Sequence, residues 1–219
     1  MKNDKLLPEL CRIEAGLQMG ENVTAWVSIK NLIEEVKDEI RDECNKENGK
    51  NTIANAAKRI LKNARQNTNR EAFFRAYRGQ NSLSICDSCR AVRFNLDTAP
   101  SLEEHPESYH DYPDIDRIVE GSKGNPIRLN VPSLGELRAF IKTERAKLKA
   151  KKDKSAVRLI VTNGDGLDIH LDAEYLLDML EALPGATVTA ARIRPQTTGL
   201  YFKAENGDGV LLPLRPPKD

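Results

Sequence analysis

Residues 167–216 read LDIHLDAEYLLDMLEALPGATVTAARIRPQTTGLYFKAENGDGVLLPLRP, and this stretch decides the fold class. Its first residues alternate in polarity and predict a strand, Asp172 is a good N-cap for a short helix, and Gly185 ends that helix. Three further strands are predicted at 187–194, 199–205 and 209–215, with the turn-forming NGDG (206–209) before the last of them. A helix followed by several short strands favours an antiparallel sheet over a parallel one.

The same order of a helix followed by strands recurs upstream. Apolar residues at helical spacing predict a helix over 52–65, and Ser133 caps another helix that extends to about residue 150. Strands are predicted at 71–78, 82–86, 90–95, 127–131 and 156–161, and a second NGDG (163–166) is a hairpin turn. The chain is therefore predicted to be an α+β protein, with curved antiparallel sheets and helices on one face.

The N-terminal region has a different pattern. Residues 1–22 show no clear period, whereas 24–46 carry apolar residues at helical spacing after Thr24, a candidate N-cap. This amphipathic helix can pack within the chain or across a dimer, so self-association is one alternative. The polar segment 45–51 predicts a linker, and 96–126, with its prolines and acidic residues, predicts a loop.

The composition excludes several classes of protein. Hydrophobic residues make up 39% and charged residues 31% of the 219 residues, which is typical of a globular protein, and the formal net charge is +1. No apolar run is long enough to cross a bilayer and the N-terminus has no signal-peptide pattern. We therefore expect a cytoplasmic protein with no membrane partner. The net charge says nothing about binding to nucleic acid.

Candidate catalytic and metal-binding residues are few. Cys86 and Cys89 form a lone CxxC without the further ligands that zinc requires, so a turn between two strands is the preferred interpretation. Two of the three histidines lie in the acidic loop EEHPESYHDYPDID (103–116), whose spacing matches no metal motif. The chain has no phosphate loop, dinucleotide fingerprint or nucleophile elbow. We expect no enzyme activity, no cofactor and no metal.

Three motifs resemble the bacterial sliding clamp, the beta subunit of the replicative DNA polymerase. The first is the C-terminal stretch 167–216, whose helix YLLDMLEAL (175–183) and final strand LLPLR (211–215) are similar to the family's last helix and its terminal "MPMRL" strand. CDSCRAVRF (86–94) resembles the family's "TDGHRLA" turn, and YPDIDRIVE (112–120) resembles the connector between its second and third domains. The motifs occur in the family's order, which is more specific than any one of them.

The resemblance implies a shortened clamp of about one and a half clamp domains. Residues 1–48 would be an N-terminal helical extension, 49–120 a partial clamp-like unit with an acidic loop, and 121–219 a C-terminal clamp-like domain. The implied function is that of a DNA-associated replication accessory protein, similar to a processivity factor, with a peptide-binding groove. The alternatives are a clamp-derived interaction module that does not encircle DNA, and a small regulator that assembles through its N-terminal helix.

Clamps encircle double-stranded DNA with helices whose basic side chains face the phosphates. Between Arg138 and Lys154 there are eight basic and two acidic residues, and five of the basic residues share one predicted helix face. A shorter basic face occurs on the helix at 52–65. The predicted DNA-binding residues are Lys58, Lys62, Arg65, Arg138, Lys142, Arg145, Lys149 and Lys152. An acidic face on the last helix, formed by Glu174, Asp178 and Glu181, argues against DNA at that position.

Clamps also bind a short peptide motif of replication and repair partners in a groove. The resemblance transfers that groove to the predicted turn and the final strand, at Cys89, Arg90, Ala91, Leu211, Leu212, Pro213 and Leu214. Cys89 stands where the family has histidine and Ala91 where it has leucine, so the groove would be wider and less polar. Arg90 is predicted to meet an acceptor on the peptide. Leu212 and Leu214 are predicted to share the groove face, with Leu211 on the other.

Overall fold

The computed structural model describes residues 3–20, 22–106, 109, 111–123, 127–162, 166, 168–194 and 197–215. The chain forms two compact units, an N-terminal unit of residues Met1–Asn51 and a C-terminal unit of Thr52–Asp219. The division near residue 51 lies close to the predicted boundary at residue 48. Among the described residues, none of the helices combines the length and the apolar character needed to cross a bilayer.

The N-terminal unit is a helical hairpin. Helix α1 spans Asn3–Gln18 and helix α2 spans Asn22–Glu47, and the two pack against each other. Ile13 of α1 and Ala25 of α2 are buried, and the Arg12 guanidinium donates to Ser28 Oγ at 3.3 Å. The sequence did not predict α1, because residues 1–22 show no clear helical period. The N-cap prediction at Thr24 is wrong because α2 already begins at Asn22.

In its described residues, the C-terminal unit combines four helices with eight strands. Residues Glu71–Phe73 add one short 3-10 turn. The helices are α3 (Asn51–Asn67), α4 (Ile115–Ser122), α5 (Leu134–Ala150) and α6 (Ala173–Ala182). The strands are β1 (Tyr77–Arg78), β2 (Ser82–Cys86), β3 (Arg90–Asn95), β4 (Arg158–Thr162), β5 (Asp168–Asp172), β6 (Thr187–Arg194), β7 (Thr197–Ala204) and β8 (Gly207–Leu211). The α+β class and the antiparallel pairing predicted from the sequence are confirmed.

Six of the strands form one antiparallel sheet in the order β1-β2-β3-β8-β7-β6, and β4 and β5 form a separate pair. At the centre of the large sheet β3 pairs with β8, with Arg90 opposite Leu211 and Phe94 opposite Gly207. This pairing joins the regions 49–120 and 121–219, for which the sequence predicted separate units. The structure differs from that prediction because the sheet continues across the predicted boundary.

Side chains alternate between the two faces of the large sheet. Val92, Phe94 and Leu211 enter the main core, which α3, α5 and α6 cover. Ala91 and Val210 point the other way, into a smaller cluster that is completed by residues of α4. The predicted helices therefore share one face, and α4 adds an unpredicted helix on the opposite face.

Local signals predicted most elements. Ser133 caps α5 in a capping box, since it accepts from the Glu136 N–H at 3.3 Å while Glu136 Oε2 accepts from the Ser133 N–H at 2.9 Å. Asp172 caps α6 with its side chain alone, which accepts from the Glu174 N–H at 2.9 Å. The strand predicted at 71–78 is reduced to β1, and that at 127–131 to a bridge between Arg128 and Thr189. Residues 163–165 of the predicted hairpin turn lie outside the described residues.

Candidate peptide-binding pocket

The turn between β2 and β3 is held by its own aspartate. The Asp87 carboxylate accepts from the backbone N–H groups of Cys89 at 3.1 Å and Arg90 at 2.7 Å. Ser88 adopts a left-handed conformation with a φ of 75°. This arrangement turns the Cys89 carbonyl towards the chain that follows β8, where it accepts from the Leu212 N–H at 2.8 Å. The two segments predicted to form the groove are therefore adjacent.

A shallow depression lies where these segments meet α4. Its volume is about 80 Å³, and apolar atoms form nearly all of its surface. Ile118 of α4 is 41% exposed at its edge. The residues that line the depression, called here the apolar pocket, are Cys86, Ser88, Cys89, Arg90, Ala91, Ile118, Val210 and Leu212.

The final strand contributes less to the pocket than the resemblance implied. Strand alternation places Val210 and Leu212 on the pocket side and Leu211 in the main core. β8 ends at Leu211, and the Leu214 N–H then donates to the His170 carbonyl of β5 at 2.8 Å. Pro213 and Leu214 do not line the pocket. The prediction that Leu214 shares the pocket with Leu212 is wrong because the chain has left the strand.

Arg90 does not offer its guanidinium to a ligand. The residue is 2% exposed, and its guanidinium donates to Asp87 Oδ2 and, at 2.5 Å, to Asp178 Oδ2. The guanidinium also lies 3.9 Å from the centroid of the Tyr175 ring. Burial alone would lower the pKa of Arg90, but the two carboxylates raise it above the ordinary value. The predicted role of Arg90 as a peptide donor is corrected to a structural one.

The Arg90 cluster continues into helix α3. The Arg59 guanidinium donates to Asp178 at 2.5 Å and also to Glu181. Asn63 donates to Asp87 Oδ2 at 2.8 Å and to the Tyr175 hydroxyl at 3.0 Å. The β2–β3 turn, α3 and α6 are therefore joined by one network, buried at Asp87 and Arg90 and partly exposed at Arg59, that holds the wall of the apolar pocket.

Burial keeps the two thiols at the pocket protonated at neutral pH. Burial raises the pKa of Cys86 to about 11. Burial and then the charge of Asp87 raise the pKa of Cys89. Both remain thiols at neutral pH, whereas a thiolate is the reactive form and the metal ligand. No metal-binding group of His, Cys, Asp and Glu occurs in the described part of the chain.

A second ionic cluster fixes α4 beside the pocket. Arg93 of β3 donates to Asp208 at 2.9 Å, to Asp116 at 2.8 Å and to Glu120 at 2.9 Å. The hydrogen bond with Asp208 is the main reason why the pKa of Arg93 is raised. Because Asp116 and Glu120 flank Ile118 on α4, this cluster positions the exposed edge of the pocket. Helix α4 was not predicted from the sequence, although the Asp-capped apolar repeat at 114–119 was a readable helix signal.

Several predicted DNA-binding arginines are engaged with acids. Arg138 donates to Glu181 at 2.5 Å, and Arg145 donates to Glu174 at 2.7 Å. Arg65 donates to the Phe74 carbonyl and to Glu103. Together with Arg59 of α3, the two α5 arginines therefore pair with the acidic face of α6. Lys62, Lys142, Lys149 and Lys152 are exposed, and Lys58 is half-buried.

The acidic loop is tied to neighbouring arginines. Glu103 pairs with Arg65 and Arg75, and Glu104 pairs with Arg78. His105 Nε2 lies 3.0 Å from the Ala72 carbonyl oxygen. His110 lies outside the described residues. The loop is thus a structural connection from the sheet edge to α4.

A second depression lies beyond this loop. It has a volume of about 310 Å³, a mostly polar lining, and a wall formed by Tyr77 and Tyr112, whose rings stack at 4.9 Å.

Comparison with protein-family models, curated proteins and solved structures finds no match to this chain.

Proposed function

We propose that this chain is a clamp-like replication accessory protein whose main activity is the capture of a short peptide in the apolar pocket. The observation that carries the proposal is the hydrogen bond from the Leu212 N–H to the Cys89 carbonyl, which brings together the two motifs that resemble the clamp groove. Between those motifs lies an apolar depression rather than a filled core. Ile118 from the clamp-like connector completes it.

The size and chemistry of the pocket favour a side-chain anchor over a whole small molecule. Small-molecule sites have volumes of about 300–1,000 Å³, whereas the apolar pocket has about 80 Å³. A cavity of that size suits one aliphatic or aromatic side chain of an extended peptide. Because Arg90 is already paired, the peptide is recognised through apolar contact and backbone hydrogen bonds rather than through a charge.

A peptide with adjacent leucine and phenylalanine tests this activity. We expect a fluorescein-labelled Gly-Ser-Leu-Phe-Gly peptide to bind with a Kd of about 0.1–1 mM, because one buried anchor contributes about 1.5–3 kcal/mol and each backbone hydrogen bond about 0.5–1.5 kcal/mol. Ile118→Asp is expected to weaken binding at least about tenfold, since it places a charge at the pocket edge. Fluorescence anisotropy measures both affinities.

The matched control is Ile160→Asp. Ile160 is 52% exposed on β4 and Ile118 is 41% exposed on α4, so both substitutions replace a solvent-facing isoleucine with the same charge. Ile160→Asp should leave the affinity unchanged. Equal affinities for the three proteins, or equal binding of a Gly-Ser-Ser-Ser-Gly peptide, would reject peptide capture at this pocket.

A second candidate function is association with duplex DNA. Its support is the neutralisation of the α6 acids by Arg59, Arg138 and Arg145, because these acids were the sequence feature that argued against DNA. With them paired, the exposed lysines dominate the charge of the layer formed by α3, α5 and α6. Such a surface would follow phosphates without base specificity.

The lysines of α5 provide the test of DNA binding. We expect Lys142→Glu and Lys149→Glu each to weaken binding to a duplex of about 30 base pairs, and to reduce the slope of log K against log salt by about 0.9. Lys203→Glu is the control, since Lys203 is exposed and lies on the face of β7 opposite to the core residues Leu200 and Phe202. Absence of salt-dependent binding by the wild type at about 50 mM salt would reject the DNA function and leave peptide capture intact.

A further inference from the structure

Helix α2 carries an exposed apolar stripe. Its members recur at spacings of three, four, three and four residues, the a and d spacing of a coiled coil. Between 37% and 63% of each residue is exposed. The stripe consists of Trp26, Ile29, Ile33, Val36 and Ile40.

The hairpin itself does not use this stripe. α1 packs on another face of α2, where Ser28 accepts from Arg12 and Ala25 is buried. Ile13 and Ala25 are the buried hydrophobic residues among the described side chains of the N-terminal unit. These two side chains bury little apolar surface, because one of them is an alanine. The stripe is therefore the larger apolar surface of α2 that is left for a further contact.

The C-terminal unit exposes no matching surface among its described residues. Its large hydrophobic residues that are exposed are Ile118 and Ile160, which belong to separate elements, α4 and β4. The stripe extends over about 21 Å, at 1.5 Å per helical residue. Two isolated side chains do not complement a surface of that length.

A membrane surface is also a poor partner for α2. The helix contains seven acidic and four basic residues. Interfacial helices that bind anionic lipid carry an excess of lysine and arginine on their polar face. The charge of α2 therefore favours a protein surface.

A second copy of the chain supplies the complementary stripe, because the a and d residues of α2 are then matched by the same residues. The charged neighbours favour a parallel arrangement. In an antiparallel pair Lys30 would lie near Lys37 of the other copy, since both occupy e positions. In a parallel pair Leu32 and Glu39, at g positions, approach Lys37 and Cys44, so the e and g positions beside the stripe bring no like charges together. Glu43, at the next d position, lies beyond the last residue of the stripe.

From these observations we propose that the chain self-associates through a parallel coiled coil formed by the α2 stripe. The contact is independent of the apolar pocket, so each proposal can fail without the other. Sedimentation equilibrium of the full chain tests it. The wild type is expected to sediment as two or more chains above a dissociation constant in the micromolar range, and Ile33→Glu is expected to raise that constant at least about tenfold.

The control is Val27→Glu on the same helix. Val27 is 48% exposed and Ile33 is 47% exposed, but Val27 lies off the stripe at a b position. The Val27→Glu protein should sediment with the same associated molar mass as the wild type. Circular dichroism should show that both variants retain their helix content. A wild type that sediments as one chain at about 100 µM, or equal effects of the two substitutions, would overturn the proposal.

The orientation is tested by cross-linking. In a protein with Cys11 and Cys44 replaced by serine, Val36→Cys places a thiol at a d position that faces itself only in the parallel arrangement. Mild oxidation should then yield a disulfide-linked dimer. An associated protein that gives no such cross-link would overturn the parallel arrangement.

Discussion

Replacing Arg90 with methionine is expected to destabilise the C-terminal unit by about 3–5 kcal/mol. The Asp87 side chain is 0% exposed and that of Arg90 is 1% exposed, so the substitution leaves a buried carboxylate without its cation. Asp178 also loses one of its two arginine partners. Urea unfolding followed by circular dichroism measures the loss. Tryptophan fluorescence is unsuitable because the single tryptophan, Trp26, lies in the N-terminal unit.

The control for Arg90 is an exposed arginine with a similar bidentate pair. Arg78 donates to both oxygens of Glu104 at 2.7 Å, but its side chain is 53% exposed. Arg78→Met should therefore cost less than about 1 kcal/mol. Adding Asp87→Asn to Arg90→Met should restore part of the lost stability, because the unpaired charge is then removed. An Arg90→Met protein as stable as the Arg78→Met protein would contradict the buried network.

Replacing Gly207 with alanine is expected to cost about 2–5 kcal/mol. Gly207 has a φ of 151°, which side chains rarely adopt, and an added Cβ would lie 2.2 Å from the Arg93 carbonyl oxygen. That oxygen belongs to β3, so relief of the clash requires β8 to move away from its partner strand. The same urea titration measures the effect.

Gly135→Ala is the matched substitution in open space. Gly135 lies in α5, and no atom lies within 4 Å of an added Cβ. Alanine should stabilise the protein there by about 0.4–1 kcal/mol, because it lowers the entropy of the unfolded chain and favours helix. A Gly207→Ala protein with undiminished stability would show that β3 and β8 are not as close as described.

The secondary structure was predictable where the signal was local. Ser133 and Asp172 marked the starts of α5 and α6, and alternating polarity marked β5. α4 was missed because it lies in a segment with prolines and acids. Its position depends on ion pairs with Arg93, which comes more than twenty residues earlier. The cap at Asp114 was a local signal for the helix, but the long-range ion pairs that fix its position leave no local pattern.

The candidate site was predictable only in part. Helical spacing showed that Arg138 and Arg145 share a face, but it could not show that Glu181 and Glu174 lie opposite them. In the same way, the sequence predicted that Arg90 would be an exposed hydrogen-bond donor to a peptide, whereas the structure buries its side chain. Cys89 and Leu212 do meet, because the chain brings the end of β8 beside the β2–β3 turn.

Methyl NMR of the chain during titration with the Leu-Phe peptide tests the central claim, peptide capture at the apolar pocket, most directly. The proposal predicts saturable shifts of the Ile118 and Leu212 methyl signals, which lie at the pocket, and no shift of Ile160. Signals that stay unchanged up to about 1 mM peptide, or shifts confined to methyl groups outside the pocket, would contradict it.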